Sequence, residues 1–319
     1  MPNTDHVDVD GEAPVVAVVG SMMTDLVTYV ERSPGPGETV VGHRFTVGFG
    51  GKGANQAVMA RRLGARVEFV GCVGDDDYGE RIQANLERNG IEVGGLRRRP
   101  GPSGVAPIWV DADGTNRIIV VPGSNHLVTP DDARAALGRL DRLDAVVGQL
   151  EIPQAATASA FACARERGAV TVLNPAPFAS LSAELLAGAD WLLPNEPELL
   201  ELAAATVVPG MTGPIDLDVD AHLVALADAL GCRLAVTLGA RGAVLVLDGT
   251  VHRVPAEPVR ARDTTGAGDA FAGAFSAALA LGVEPRAAAG WAGRCATWSV
   301  QHDGTQASYP DADTVRSLR

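Results

Sequence analysis

The sequence predicts an α/β protein: a doubly wound, mostly parallel sheet with helices on both faces, plus a small β-sheet lying apart from it as a lid. Three observations predict it. Beyond residue 130, short apolar runs alternate with helical segments, as in parallel strands joined by crossover helices. Hydrophobic residues make up 46% of the chain but aromatics only 4%, so the core must be built from Ala, Val and Leu, which suits helices on a sheet better than an aromatic-rich sandwich. Before residue 130, two stretches of looser alternation flank Pro/Gly-rich or Asp/Gly-rich turns, the pattern of paired strands. A chain of 319 residues is long enough for one large α/β domain or two smaller ones.

The elements follow in order. Residues 1–13 are polar and acidic, with no basic or apolar stretch. They are expected as a disordered tail and not a signal peptide, leaving the folded unit at 14–319. Val15–Val19 reads as a buried strand running into Gly20-Ser21. Leu26–Val30 and Thr39–Val47 read as a strand pair around Ser33-Pro34-Gly35-Pro36-Gly37. Ala54–Leu63 reads as a helix stopped by Gly64, Val67–Val70 as a strand, and Tyr78–Asn89 as a helix capped by Gly90. Val105–Val110 and Arg117–Val121 flank Asp111-Ala112-Asp113-Gly114, a hairpin signal. With the earlier pair they make the expected lid, over about 26–48 and 104–122. Further strands are expected at Ala145–Gln149, Val170–Leu173, Trp191–Leu193, Leu234–Leu238 and Ala243–Leu247.

Composition excludes several functions. The net charge is −13, from 26 basic and 39 acidic residues, which argues against partners such as nucleic acid or an anionic membrane surface. No run of about 18 apolar residues occurs, so no membrane-spanning helix is expected. Cys72, Cys163, Cys232 and Cys295 are widely spread and form no CxxC pair, the pattern of reduced thiols in a cytoplasmic protein.

The stretch Asp263-Thr264-Thr265-Gly266-Ala267-Gly268-Asp269 carries the chemistry. It reads as a turn feeding a helix of small residues, and such a helix start is a ready anion site. Asp269 in the first helical turn would repel that anion. It makes sense if it removes a proton from a hydroxyl that attacks a phosphate. Gly48-Phe49-Gly50-Gly51-Lys52-Gly53 contains a formal GxGxxG, yet its upstream strand reads as a lid strand. Gly53 also stands where a Walker A loop needs Ser or Thr. Read with Asn55, it offers N–H groups, an amide and an ammonium to a polyhydroxylated ligand.

Gly50-Gly51-Lys52-Gly53-Ala54-Asn55-Gln56-Ala57 and Asp263 to Asp269 resemble the two signatures of the ribokinase-like (PfkB) carbohydrate kinases, at similar spacing. Gly20-Ser21 to Asp25, Pro36-Gly37-Glu38-Thr39, Gln149-Leu150-Glu151, Asn174-Pro175-Ala176-Pro177, Pro194-Asn195-Glu196, Thr237-Leu238-Gly239 and Gly304-Thr305-Gln306 match in order. The resemblance covers about residues 14 to 312. It implies ATP-dependent phosphorylation of D-ribose at the 5-hydroxyl. Alternative acceptors are 2-deoxyribose, a ketohexose or a nucleoside, and an alternative of another class is a sugar-binding regulator without catalysis.

The resemblance also implies roles. Asp269 would be the general base, with Gly266, Ala267 and Gly268 offering N–H groups to the γ-phosphoryl group. Met23, Asp25, Gly51, Lys52, Gly53, Asn55 and Glu151 match the sugar site. Asn195 and Glu198 match an element near the phosphates and Mg²⁺. Thr237, Gly239, Arg241 and Gly242 match a nucleotide loop, and Gly293 a position near the adenine. Asp263, Thr265, Ser299, His302, Gly304 and Ser308 match the surroundings of an activating K⁺. The lid implies a homodimer, for which Val27, Val40, Phe45 and Val47 supply apolar surface.

Plainer readings stand beside these. Asp263 suits a helix N-cap, Glu151 a solvated strand end, Asn195 to Glu198 a helix start, and Arg241 a turn residue facing solvent. Three positions depart from the family pattern. Met23 replaces a common Asn and cannot donate to a sugar hydroxyl, which relaxes selectivity toward a deoxy sugar. Gly293 replaces a side chain near the base, and His302 replaces a common Arg.

Overall fold

The computed structural model describes residues 12–210 and 213–319; the expected disordered tail lies, except for residues 12 and 13, outside the described residues. β1 (Val15–Val19) is the central strand, buried at all five positions. The chain then leaves for β2 (Met23–Tyr29) and β3 (Arg44–Gly50). It returns through α1 (Lys52–Arg62), β4 (Arg66–Gly74), α2 (Asp77–Arg88) and β5 (Glu92–Arg99), and leaves again for β6 (Val105–Val110) and β7 (Asn116–Ile118). Next come α3 (Pro130–Leu137), β8 (Ala145–Gly148), α4 (Gln154–Glu166), β9 (Val170–Leu173), α5 (Ala183–Gly188) and β10 (Trp191–Leu192). They are followed by α6 (Glu196–Ala204), α7 (Asp220–Leu230), β11 (Arg233–Thr237), β12 (Ala243–Leu247), β13 (Thr250–Val254), α8 (Ala267–Ala280), α9 (Pro285–Ser299) and α10 (Ala312–Leu318).

Nine strands form the main sheet in the order β13-β12-β11-β10-β9-β8-β1-β4-β5. All neighbours are parallel except β11–β12 and β12–β13. Alternate residues of β1 feed opposite cores: Val16 and Val18 join one with α1, α8 and α9, and Ala17 and Val19 join the other with α3, α4 and α7. The period of two along a strand makes one sheet serve both layers. The first core includes Trp191 edge-on to Phe275, ring centroids 5.2 Å apart; the second is mostly Ala, Val and Leu. Successive strands run from β1 to β4 on one side and from β1 to β8 on the other. The carboxyl ends of β1 and β8 therefore flank a topological switch point, where such sheets bind ligands.

The second sheet has the order β3-β2-β6-β7, with β2 and β6 parallel and the outer pairs antiparallel. The fold class is the expected one, with corrections to the elements. The strand expected at Leu26–Val30 starts at Met23. The one expected at Thr39–Val47 runs Arg44–Gly50, because pairing is set at the root, where Met23 opposes Gly50. The helix expected from Ala54 starts at Lys52, since Gly51 turns the chain at φ 87°. β5 and β13, at the two sheet edges, were not expected at all.

Candidate active site

At the switch point, the Ser21 hydroxyl after β1 donates to Glu151 Oε2 after β8, and the Lys52 N–H donates to the same oxygen at 2.9 Å. Glu151 thus supplies the start of α1 with the anion that Gly51 cannot. It is a bonded, half-buried group and not a solvated strand end. Glycine is required here for contact: a Cβ on Gly53 would lie 2.7 Å from Ser21 N, and one on Gly51 2.7 Å from Met22 Cα.

Asp25 and Met23 share one face of β2 by alternation. Asp25 stands over Gly50, where a Cβ would lie 2.4 Å from its Oδ1. Burial, then the neighbouring Glu151 and Asp269 carboxylates, push the Asp25 carboxyl up to about 7. Met23 is only 2% exposed yet belongs to neither core.

Asp269 is the third residue of α8, whose N-cap is Gly266 in the left-handed region at φ 77°. It is 7% exposed. Its Oδ2 accepts from Asn55 Nδ2 at 2.8 Å and its Oδ1 from Gln56 Nε2 at 3.0 Å, both from α1. Among the described residues, the N–H groups of Gly266 and Gly268 have no acceptor, whereas Ala267 N–H turns back to Thr264 O at 3.3 Å. Burial alone would lower the Lys52 ammonium, but the carboxylates of Asp269, Glu151 and Glu198 outweigh it and raise it. Burial raises Glu198, and Asp269 adds to that against the Asn195 N–H bond and Lys52. Three carboxylates, those of Glu151, Glu198 and Asp269, are therefore in electrostatic reach of one ammonium, and a fourth, Asp25, faces two of them.

Asp263 is not the helix N-cap. Its Oδ1 accepts from Thr265 N and its Oδ2 from Gly304 N, each at 2.9 Å, so it pins the turn before α8 to the 299–308 loop. The Ser299 and Ser308 hydroxyls donate to Ala296 O and Thr305 O. The exposed His302 ring stacks on Trp298, and its Nδ1 lies 2.9 Å from the Trp298 carbonyl oxygen. Among the described residues, no three His, Cys, Asp or Glu side chains converge as a metal site.

Asn195 and Glu198 cap α6 reciprocally, at 2.9 Å in each direction. The plain helix-start reading therefore holds for both, and their other atoms stay beside the site. Asn195 also bridges to Thr237, whose N–H reaches Pro194 O at 3.0 Å, which sets the 237–242 loop next to α6. Arg241 is an exposed turn residue, as the plain reading expects, and its guanidinium pairs with Glu196 at 2.7 Å on the surface. A Cβ on Gly239, Gly268 or Gly293 would meet nothing within 4 Å, so these backbones face open space.

The structure thus gathers Asp25, Lys52, Asn55, Glu151, Glu198 and Asp269 at one point. Sequence reasoning gave no role to Ser21, Gln56, Gln149, Asn174 or Gln306, which make buried contacts around it. Their only signal was membership of the glycine-rich motif and the strand-end motifs.

A family model described as pfkB family carbohydrate kinase matches residues 14–312. The ribokinase of Mus musculus is 39% identical over 308 residues, covering 94% of this chain and 93% of that protein. The deoxyribokinase of Salmonella typhi is 37% identical over 303 residues, covering 93% and 96%. Among solved structures, Arabidopsis thaliana ribokinase complexed with ribose and ATP is similar, with TM-score 0.83 at 29% identity, covering 96% of this chain and 99% of that one.

Proposed function

The chain belongs to the pfkB family of carbohydrate kinases, and we propose that it transfers the γ-phosphoryl group of ATP to the 5-hydroxyl of D-ribose, giving ribose 5-phosphate and ADP. The observation that carries this reading is Asp269. It is a buried carboxylate in the first turn of α8, held by Asn55 and Gln56 beside Asp25, Lys52 and Glu151.

In this reading Asp269 takes the hydroxyl proton as the O5–P bond forms and the bond from phosphorus to the bridging oxygen of ADP breaks. A positioned base contributes about 10²–10⁴-fold. The free N–H groups of Gly266 and Gly268, with the α8 dipole and Lys52, stabilise the charge that spreads over the transferring group. Ala267 N–H joins them only on leaving Thr264 O. Asp25, Asn55 and Glu151, with the backbone of Gly51 and Gly53, hold the sugar hydroxyls. The second sheet excludes water, which would otherwise accept the phosphoryl group.

Mg²⁺ fits this donor set: four carboxylates against one ammonium leave the phosphates of ATP short of positive charge, and Mg²⁺ is usually held by substrate phosphates with one or two carboxylates. Asn195 and Glu198 are the residues at hand, and the ion would supply neutralisation of the phosphate oxygens. K⁺ fits the junction that Asp263 pins, where backbone carbonyls near Thr265, Ser299, His302 and Gly304 and the Ser308 hydroxyl offer oxygen ligands. Thr237, Gly239 and Gly242, with Gly293 on α9, would cradle the nucleotide, and Arg241 would have to leave Glu196 to reach it. Four free cysteines fit the cytoplasm as location.

A second acceptor, 2-deoxyribose, is favoured by Met23, which lies buried on the Asp25 face and can donate no hydrogen bond, and by the similarity to a deoxyribokinase. An ADP-release screen over ribose, 2-deoxyribose, fructose and nucleosides, with and without K⁺, tests both readings. Ribose should be turned over, and more slowly without K⁺; a ribose preference above about 10⁴ would exclude 2-deoxyribose as an acceptor. Asp269→Asn should lose about 10²–10⁴ in kcat and keep ribose binding; unchanged turnover would refute the base.

A further inference from the structure

Asp269 stands where two files of amides meet, and every amide except the anchoring Asn174 turns its NH₂ end toward it. The first file is anchored at Asn174, whose Nδ2 donates to the Leu193 carbonyl at 2.7 Å, so its Oδ1 faces Gln56. Gln56 Nε2 donates both to that oxygen and to Asp269 Oδ1, each at 3.0 Å. Gln56 Oε1 in turn accepts from Gln149 Nε2 at 2.6 Å. In the second file Asn85 Nδ2 donates to Gln306 Oε1 at 2.9 Å, Gln306 Nε2 to Asn55 Oδ1 at 3.0 Å, and Asn55 Nδ2 to Asp269 Oδ2 at 2.8 Å. Gln56 and Gln149 are 0% exposed, and Asn55, Asn174 and Gln306 at most 8%. An amide donates only from nitrogen and accepts only at oxygen. With Asn174 tied to the Leu193 carbonyl and Asn55 tied to Asp269, turning over Gln56 or Gln306 breaks the bonds they make on both sides.

We propose that these files are a positioning device for phosphoryl transfer. Gln56, backed by Asn174 and Gln149, and Gln306, acting through Asn55, hold the Asp269 carboxylate ionised and fixed in rotation, with its unbonded lone pairs toward the acceptor hydroxyl. The inference rests on Asp269 being the general base.

Three arguments support it. First, an Asp in the first turn of a helix is drawn to the N–H groups at its own helix start, here the groups needed by the phosphoryl group; two donors from α1 turn it across the site instead. Second, the titratable groups facing Asp269 are Asp25 on β2, Glu198 on α6, Lys52 on α1 and the buried, neutral Tyr309 phenol. Among the described residues none of them hydrogen-bonds its carboxylate, so the two amide donors alone fix its rotation, and donors of this kind favour a charged acceptor. Third, a neutral amide neither takes nor yields a proton at these pH values, so the proton from the hydroxyl stays on Asp269 and leaves by the substrate side.

Gln56→Met keeps the length of the side chain and removes its hydrogen bonds. The expected result is a fall in kcat of about 10- to 100-fold, the factor that a hydrogen bond to a charged group is worth. KM for ribose should stay within about threefold, and the acid limb of the kcat–pH profile should move upward by about one unit. Gln306→Met, one amide further out, should act in the same direction and less strongly; it decides by the same criteria if Gln56→Met does not fold. A fall in kcat with an unmoved acid limb, or a rise in KM alone, overturns the proposal. Asp269→Asn in the same assay separates the two readings. If it keeps full turnover, the base assignment falls. If it loses turnover while both glutamine variants keep the parent pH profile, only the positioning role falls.

Discussion

Asp25 is held where its charge costs most. Burial and two neighbouring carboxylates raise its carboxyl from 3.8 to about 7. In the unfolded chain it ionises near 3.8; in the folded protein it keeps its proton to about 7. Between those values the folded state binds more protons, so stability falls as pH rises through that window and the full penalty is present above pH 7. Asp25→Asn removes the penalty. It should raise stability at pH 8 by about 1–3 kcal/mol, or about 2–6 °C in Tm, while weakening sugar binding. The gap should shrink steadily as pH falls from 7 toward 4, and thermal unfolding at pH 8 and pH 5 measures it. A gap equal at both pH values would mean that Asp25 is not the titrating group. At this scale the sequence was legible where a residue sits in a dense motif: Asp25, Lys52, Asn55 and Asp269 could be named from their neighbours. It was silent on Gln306, which meets Asn55 across 251 residues, because a hydrogen bond between distant loops leaves no periodicity in the chain.

Helix packing sets how well that cluster is assembled. α1 brings Asn55 and Gln56, α8 brings Asp269, and the two helices touch at Gly273. A Cβ there would lie 2.3 Å from the Gln56 carbonyl oxygen and 2.9 Å from Met59 Cβ, so Gly273→Ala must push the helices apart at the residue that holds the base. Overpacking of this kind costs about 1–3 kcal/mol. Denaturant unfolding should register that loss, and kcat should fall in parallel while the far end of α8 keeps its packing. Parent-like stability together with parent-like turnover would show that the helices are not held at that distance. The inner strands were readable as elements because burial on both faces forces continuous apolar runs. β5 and β13 were not, since both are sheet edges, which natural proteins keep polar and irregular. β5 ends in Arg97-Arg98-Arg99, of which Arg97 and Arg99 pair with Asp132, and β13 carries His252 and Arg253.

On the scale of the whole molecule, the second sheet stands off the main one with both broad faces partly open. Its register separates them. Met23, Asp25 and Val27 share the face toward the site, while Leu26, Phe45, Val47, Pro107 and Trp109 share the opposite face through the β2–β3 and β2–β6 pairings. The four residues expected to make a dimer surface are therefore split. Val27 turns to the site face, Phe45 and Val47 turn away, and Val40 lies outside the strands. Phe45 is 59% exposed, and an apolar stripe of this composition on a projecting sheet calls for cover. We expect a second copy of the chain to supply it, lid against lid, which would also hold each lid over its own sugar. Light scattering should then give twice 32.9 kDa for the parent and the single mass for Phe45→Glu combined with Trp109→Glu. The double variant should raise KM for ribose several-fold and change kcat less, because the base, the helix start and the nucleotide loop all lie in the main domain. A monomeric parent, or a double variant that stays dimeric, would remove the lid from the assembly.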